Sequence, residues 1–343
     1  VVKDAACKAL ADGHTHYTHS QGIPALREAI AEHYRREYGV DVDPCNILVT
    51  QGTSPAMLAL FAALLEDGDE VILSDPGYAC YPNFIRFAGA EPRFVRVSEA
   101  DAYQYRAANI RAALTPRTRA IIVNSPANPT GQVLADERKQ AIADIAAEHP
   151  LWVVSDEIYH GLVYEGRDRS MLEFTDRAFV LSGFSKLQAM TGWRLGWLIA
   201  PPWAVRGLQK LCQNFFISAN APAQHAGIAA LTLAGDDIER MRATYARRRR
   251  VLLDGLQALG FAIPHEPTGA FYVLVNAEHL AEPFGGSSLK LAYDILERAH
   301  VGVTPGIDFG PGAEGCLRFS YANSVENIEK GLERLGRYIA ERG

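Results

Sequence analysis

Cysteine is scarce in this 343-residue chain: Cys7, Cys45, Cys80, Cys212 and Cys316 are scattered and never fall in C-x-x-C spacing. An odd, dispersed set excludes a disulfide scaffold or a zinc ribbon and points to reduced thiols in a cytoplasm. No run of about 18 apolar residues occurs, so no membrane-spanning helix is expected. Basic residues are outnumbered, 34 Lys and Arg against 40 Asp and Glu, and the formal net charge of -6 argues against non-specific nucleic-acid binding. Internal repeats and low-complexity segments are absent as well. The start, Val1-Val2-Lys3-Asp4, has neither an initiator Met nor a signal-peptide pattern, and an N-terminal segment is expected to be missing from this numbering.

What is present is a soluble composition, 48% hydrophobic and 22% charged, long enough for one large domain or two. Short apolar runs recur at 47–50, 70–73, 93–97, 120–123, 151–155, 178–181 and 195–200, with helical stretches such as 54–65 and 135–147 between several of them. Continuous apolar strands alternating with helices predict an α/β fold, a mostly parallel sheet covered on both faces. After Gly235 the texture changes to a long charged helix over 237–259, strands at 271–275 and 316–319, and helices over 287–299 and 324–341. That part reads as a smaller α+β domain.

One lysine stands apart. Lys186 follows the apolar run Ala178–Leu181 in the segment SGFSKLQAMTGWRLGW, with Arg194 eight residues on. An ammonium at the end of a buried strand is costly, and amine nucleophiles are found in such places. The other lysines, Lys139 among them, lie in or beside amphipathic helical patterns and are expected on solvated helix faces. Three further segments end strands: VVSDEIY with Asp156 and Tyr159, NSPANPTG over 124–131, and QGTS over 51–54. Taken singly, Asp156 reads as a turn cap, Asn-Pro-Thr-Gly as a turn, and QGTS as a helix N-terminus able to bind an anion. Together they lie at the carboxyl ends of strands, where open α/β sheets bind their ligands.

The ordered set resembles the class I and II aminotransferases, the fold-type-I pyridoxal-phosphate enzymes. The resemblance runs from Tyr17 and the Gly22-Ile23-Pro24 segment to Arg318-Phe319-Ser320-Tyr321, nearly the whole chain. It implies a large three-layer domain over 21–235, a small C-terminal domain over 236–343, and a segment over 1–20 associated with the small domain and the dimer interface. It implies that Lys186 is the Schiff-base and proton-transfer residue, and that Asp156 pairs with the pyridine nitrogen. Asn128 and Tyr159 would hydrogen-bond the ring oxygen, and Tyr78 of DPGYACYP would stack on the ring. Gly52, Thr53, Ser54, Ser185 and Arg194 would hold the phosphate, joined by Tyr17 from a neighbouring subunit of a homodimer. Where the family often carries a further serine, this chain has Gly183. Arg318 would grip the substrate carboxylate.

The implied activity is transfer of an α-amino group to a 2-oxo acid, such as 2-oxoglutarate, by a ping-pong cycle. A β-eliminating C–S lyase would need the same Lys186 and Asp156. A ligand-sensing domain of aminotransferase ancestry is the alternative from another class, although no helix-turn-helix pattern precedes it. The loop after Gly52 carries Ser54 and no lysine, whereas some dicarboxylate-using members carry a lysine there. The substrate is therefore expected to be a neutral or aromatic amino acid such as alanine. Three other features are read as silent. Gly310–Gly315 satisfies G-x-G-x-x-G but precedes a strand, so no dinucleotide site is expected. His14, His16 and His19 lack metal-ligand spacing. Arg247–Arg250 is expected to be solvated helix.

Overall fold

Alternate residues of the apolar runs pack in opposite directions, which explains why those runs are continuous. Ile47 and Val49 join one core, while Leu48 between them joins another; Ile121 and Val123 divide from Ala120 and Ile122 in the same way. A strand buried on both faces needs apolar residues at every position. The computed structural model describes residues 1–342. Its strands are β1 (Ile47–Thr50), β2 (Glu70–Asp75), β3 (Glu91–Arg96), β4 (Thr118–Asn124), β5 (Trp152–Asp156), β6 (Ala178–Gly183), β7 (Gly196–Ile199), β8 (Tyr272–Asn276), β9 (Thr304–Pro305) and β10 (Cys316–Ser320). The first seven form one sheet in the order β1-β7-β6-β5-β4-β2-β3. The pairs among β2 to β6 are parallel, and β7 runs antiparallel to both β1 and β6. The fold is thus α/β with a mostly parallel sheet, as expected. The last three strands form a separate antiparallel sheet in the order β8-β10-β9 with its own core. The two-residue β9 went unread in the sequence, being too short for a periodic signal.

The α-helices are α1 (Val2–Ala11), α2 (Pro24–Tyr38), α3 (Thr53–Leu64), α4 (Tyr81–Phe87), α5 (Ala107–Ala113), α6 (Asp136–Glu148), α7 (Pro202–Phe216), α8 (Ala221–Thr232), α9 (Gly235–Ala258), α10 (Glu278–Ala281), α11 (Ser288–Ala299) and α12 (Val325–Ala340). No helix among the described residues is long and apolar enough to cross a membrane. Helix α1 lies against α8, with Ala6 in the core beside Leu26 and Ile30 and with His14 stacked on His225 at 4.2 Å. The 1–20 segment therefore packs on the seven-stranded side, whereas the sequence reading placed it beside the C-terminal part.

Two charged residues expected in solvent are buried. Lys139 of α6 is only 1% exposed, and its Nζ donates to the Arg169 carbonyl at 2.7 Å. Burial pulls its pKa down, while the carboxylates of Glu157 and Asp136 pull the other way. Its long stem carries the ammonium to a partner thirty residues away, which helical periodicity cannot reveal. Arg249 of α9 is also buried; its Nε donates to the Pro267 carbonyl at 2.6 Å and its Nη2 to Glu165 at 2.8 Å.

Candidate active site

The carboxyl ends of the parallel strands open on a cavity of about 400 Å³ lined by Thr53, Ser54, Tyr78, Asn128, Asp156, Tyr159, Ser185, Lys186, Arg194 and Arg318. Gly52 adjoins it through Arg194. Tyr17 lies outside it and is 83% exposed. Residues spread over more than 260 positions thus converge because β1, β4, β5, β6 and β10 each end or pass there.

Asp156 is the last residue of β5 and is buried. Its Oδ2 accepts from the Tyr81 hydroxyl at 2.7 Å and its Oδ1 from the Ile158 N–H at 3.2 Å. Burial pushes the carboxyl up to about 6, against the lowering effect of those donors and of the Lys186 charge. Parallel register sets Asn124 of β4 opposite Asp156. The Asn124 amide donates to the Asp156 carbonyl at 3.1 Å, and its Oδ1 accepts from the Asn128 N–H at 2.8 Å. The turn carrying Asn128 is thereby tied to the strand carrying Asp156.

Lys186 follows β6 with its Nζ 5.6 Å from the Tyr159 ring centroid and 5.7 Å from that of Phe271. Burial lowers its pKa, Arg194 and Arg318 push the same way, and Asp156 opposes them. A lysine so placed holds its proton less firmly, which favours both amine attack and proton exchange. The Tyr159 and Tyr272 hydroxyls lie 3.0 Å apart, and burial raises the Tyr159 phenol.

At the other end of the cavity, Gly52 precedes α3 with φ of 101°, and no side chain caps the helix. A Cβ on Gly52 would sit 2.8 Å from Arg194 Nη2, so a side chain would displace the guanidinium. Free first-turn N–H groups, the hydroxyls of Thr53 and Ser54 and this guanidinium make a site for a dianion. Position 183 admits no serine without a shift, because a Cβ there would lie 2.8 Å from Gly196 Cα. The close approach of β6 to β7 accounts for the missing hydroxyl.

Arg318 points from β10 across the cavity mouth. Its Nη1 donates to Asn128 Oδ1 at 2.8 Å and its Nη2 to Thr304 Oγ1 at 3.1 Å, while its buried Nε has no partner. A polar atom left unmatched at this depth suits a ligand anion. The set fits a phosphorylated aromatic ring with a protonatable nitrogen: a dianion site at one end, a buried carboxylate at the other, and an amine between them. Tyr81, Asn124 and Tyr272 line the same cavity and were not singled out in the sequence. Tyr81 lies within the quoted DPGYACYP, three residues after Tyr78 at the start of α4, and a second tyrosine in that segment was the available signal.

The profile of the family described as Aminotransferase class I and II matches residues 1–335. The chain belongs to the class I and II aminotransferases. It is 40% identical over 98% of its length to the (5-formylfuran-3-yl)methyl phosphate transaminase of Methanocaldococcus jannaschii, spanning 87% of that protein. It is 41% identical, with the same coverages of 98% and 87%, to the aspartate/prephenate aminotransferase of Thermus thermophilus. The solved structure of the aromatic aminotransferase from Pyrococcus horikoshii superposes with a TM-score of 0.95 at 36% identity, covering 99% of this chain and 92% of that one. This aminotransferase therefore has the fold-type-I architecture and uses pyridoxal 5′-phosphate. Because these relatives are transaminases, the β-lyase alternative is not favoured.

Proposed function

We propose that this aminotransferase binds its cofactor through Lys186 and acts on amino acids with neutral or aromatic side chains. The observation that carries the reading is one cavity lined by the Lys186 amine, the Asp156 carboxylate and the Arg318 guanidinium. When bound, pyridoxal phosphate supplies an electron sink for the carbanion left when the amino-acid Cα loses its proton. Asp156, ionised above about pH 6, would pair with the ring nitrogen and favour its protonated form. The Asn128 amide, with its oxygen turned to Arg318, has its Nδ2 left to donate and would hydrogen-bond the ring oxygen, as would the Tyr159 hydroxyl. Tyr78, which lines the cavity, would stack on the ring. The α3 N-terminus, Ser185 and Arg194 would hold the phosphate, and Lys186 Nζ would take the proton from the substrate Cα and deliver it to the C4′ carbon of the cofactor. The first substrate leaves as an oxo acid before the acceptor binds.

Arg318 grips the α-carboxylate of either substrate. Arg318→Lys keeps the charge but loses the planar fork, and KM for both substrates is expected to rise by about 10- to 100-fold with a smaller fall in kcat. Steady-state kinetics with each substrate varied in turn would show it.

The other lining side chains include Met57, Phe84, Ile158 and Tyr272, and no cation beyond Lys186, Arg194 and Arg318 lines the cavity among the described residues. This favours an apolar or aromatic side chain over a second carboxylate. The exposed Tyr17 reaches the phosphate of a second copy, so the active form is a homodimer, and the enzyme works in the cytoplasm. A large cofactor-binding domain spans 21–235 and a small domain 236–343. Mixing holoenzyme with one amino donor at a time, without acceptor, tests the substrate reading through loss of the visible cofactor absorbance. Aromatic and neutral donors are expected to bleach it faster than aspartate. Bleaching by aspartate alone would refute the reading.

A further inference from the structure

The G-x-G-x-x-G run at 310–315 has no part in cofactor binding, yet it has a specific docking partner. It lies between β9 and β10, in two short turns over Gly306–Phe309 and Pro311–Ala313. The Gly312 N–H donates to Asp75 Oδ1 at 2.7 Å, and the Gly77 N–H donates to the Phe309 carbonyl at 2.9 Å. Asp75 ends β2 and is buried, with Arg96 Nη1 3.7 Å from its Oδ2. A Cβ on either Gly310 or Gly312 would overlap the Asp75 carboxylate, so both glycines serve close approach to that side chain. The far end of the loop is anchored separately, with Glu314 Oε1 accepting from the Ser288 N–H at 2.7 Å.

Each side of this contact leads into the active site. On the large-sheet side, Asp75 opens the turn that presents Tyr78 three residues later. On the small-sheet side, the loop carries Phe309, whose ring centroid is 4.7 Å from the Arg318 guanidinium carbon. Tyr272 provides a second ring at 4.3 Å. Aromatic faces held against a guanidinium restrict its plane, and a two-pronged grip on a carboxylate depends on that plane.

We propose that Asp75 is a positioning residue for substrate binding, holding the Phe309–Gly312 loop so that Phe309 fixes the Arg318 guanidinium over the cavity. The inference rests on the reading of Arg318 as the carboxylate-binding residue. Asp75 touches neither substrate nor cofactor. Its effect passes through the Gly312 N–H, the loop and Phe309, and it falls on substrate affinity with cofactor binding untouched.

The test compares Asp75→Ala, Asp75→Asn and Arg318→Lys as holoenzymes. Removing a carboxylate acceptor from a buried N–H is expected to raise KM for donor and acceptor together by about tenfold in Asp75→Ala. Its kcat is expected to stay within about threefold and its cofactor affinity within about twofold. Amide hydrogen exchange should quicken over 306–313 in the same variant. Asp75→Asn retains an oxygen for the Gly312 N–H and is expected to restore KM to within about threefold of the parent. An unchanged KM or unchanged exchange in Asp75→Ala would overturn the proposal, and so would an Asp75→Asn variant as impaired as Asp75→Ala. If Arg318→Lys raises KM while Asp75→Ala does not, only the role of Asp75 fails. If Arg318→Lys leaves KM unmoved, the reading of Arg318 itself fails.

Discussion

Lys186→Ala is expected to abolish turnover, with a loss of at least about 10⁴-fold in kcat measured with saturating donor and acceptor. The size of the effect follows from the two roles proposed for this one amine. As the point of attachment, Lys186 holds the cofactor in register with Asp156 and Arg194. As the base, its Nζ exchanges the proton at the substrate Cα. Burial lowers its proton affinity, Arg194 and Arg318 push the same way, and Asp156 opposes them, so the amine holds its proton less firmly than an exposed lysine. No other lysine lines the cavity to replace it. Lys139, a buried lysine, is committed to the Arg169 carbonyl and does not line the cavity. The variant should still fold, since removing an ammonium from a partly buried site relieves a desolvation cost. Exogenous small amines should restore a fraction of the proton transfer, and rescue that tracks amine basicity would mark Lys186 as the base.

Asp156→Asn is expected to lower kcat by about 10²- to 10³-fold while making the cofactor-free protein more stable above pH 6. The activity term arises because a neutral amide cannot keep the facing ring nitrogen protonated. The stability term has a definite sign. The Asp156 carboxyl titrates at about 6 in the folded chain against 3.8 for its ordinary value. The folded state therefore binds more protons between those two values, and stability falls as pH rises through that window. Above it, the buried charge costs on the order of 3 kcal/mol. Asparagine removes that cost but can accept only one of the two hydrogen bonds from Tyr81 and Ile158, which takes back about 1 kcal/mol. The net gain, about 2 kcal/mol at pH 8, should vanish as pH approaches 4. Denaturant unfolding of the two apoproteins across that range would show it. Equal stability at pH 8 would mean that the Asp156 charge carries no burial cost.

Much of the site was legible because its residues mark strand ends, and strand ends were legible from apolar runs. Lys186, Asp156 and Asn128 each follow such a run by a few residues. Gly52 was visible in the Gly52-Thr53 pair that leads into an apolar helix read over 54–65. What the sequence could not show was sideways contact between distant segments. Asn124 matters because β4 and β5 pair in the register that sets it opposite Asp156. Tyr272 matters because β8 and β10 place it near Arg318. Lys139 and Arg249 resembled solvated helix residues because their partners, Arg169 and Pro267, lie in other elements. The glycines at 310 and 312 imitated a nucleotide motif because close approach to a carboxylate and close approach to a phosphate demand the same residue. The 1–20 segment, in which no helix was read, was set beside the small domain by the resemblance alone. The apolar face of α1 fits any apolar surface, and only the fold shows that α8 supplies it.

Borohydride reduction of the holoenzyme, followed by proteolysis and mass mapping, tests the central claim most directly. A stable phosphopyridoxyl adduct is expected on the peptide containing Lys186 and on no other lysine. A reduced adduct on Lys139 or on a surface lysine, with Lys186 unmodified, would contradict it.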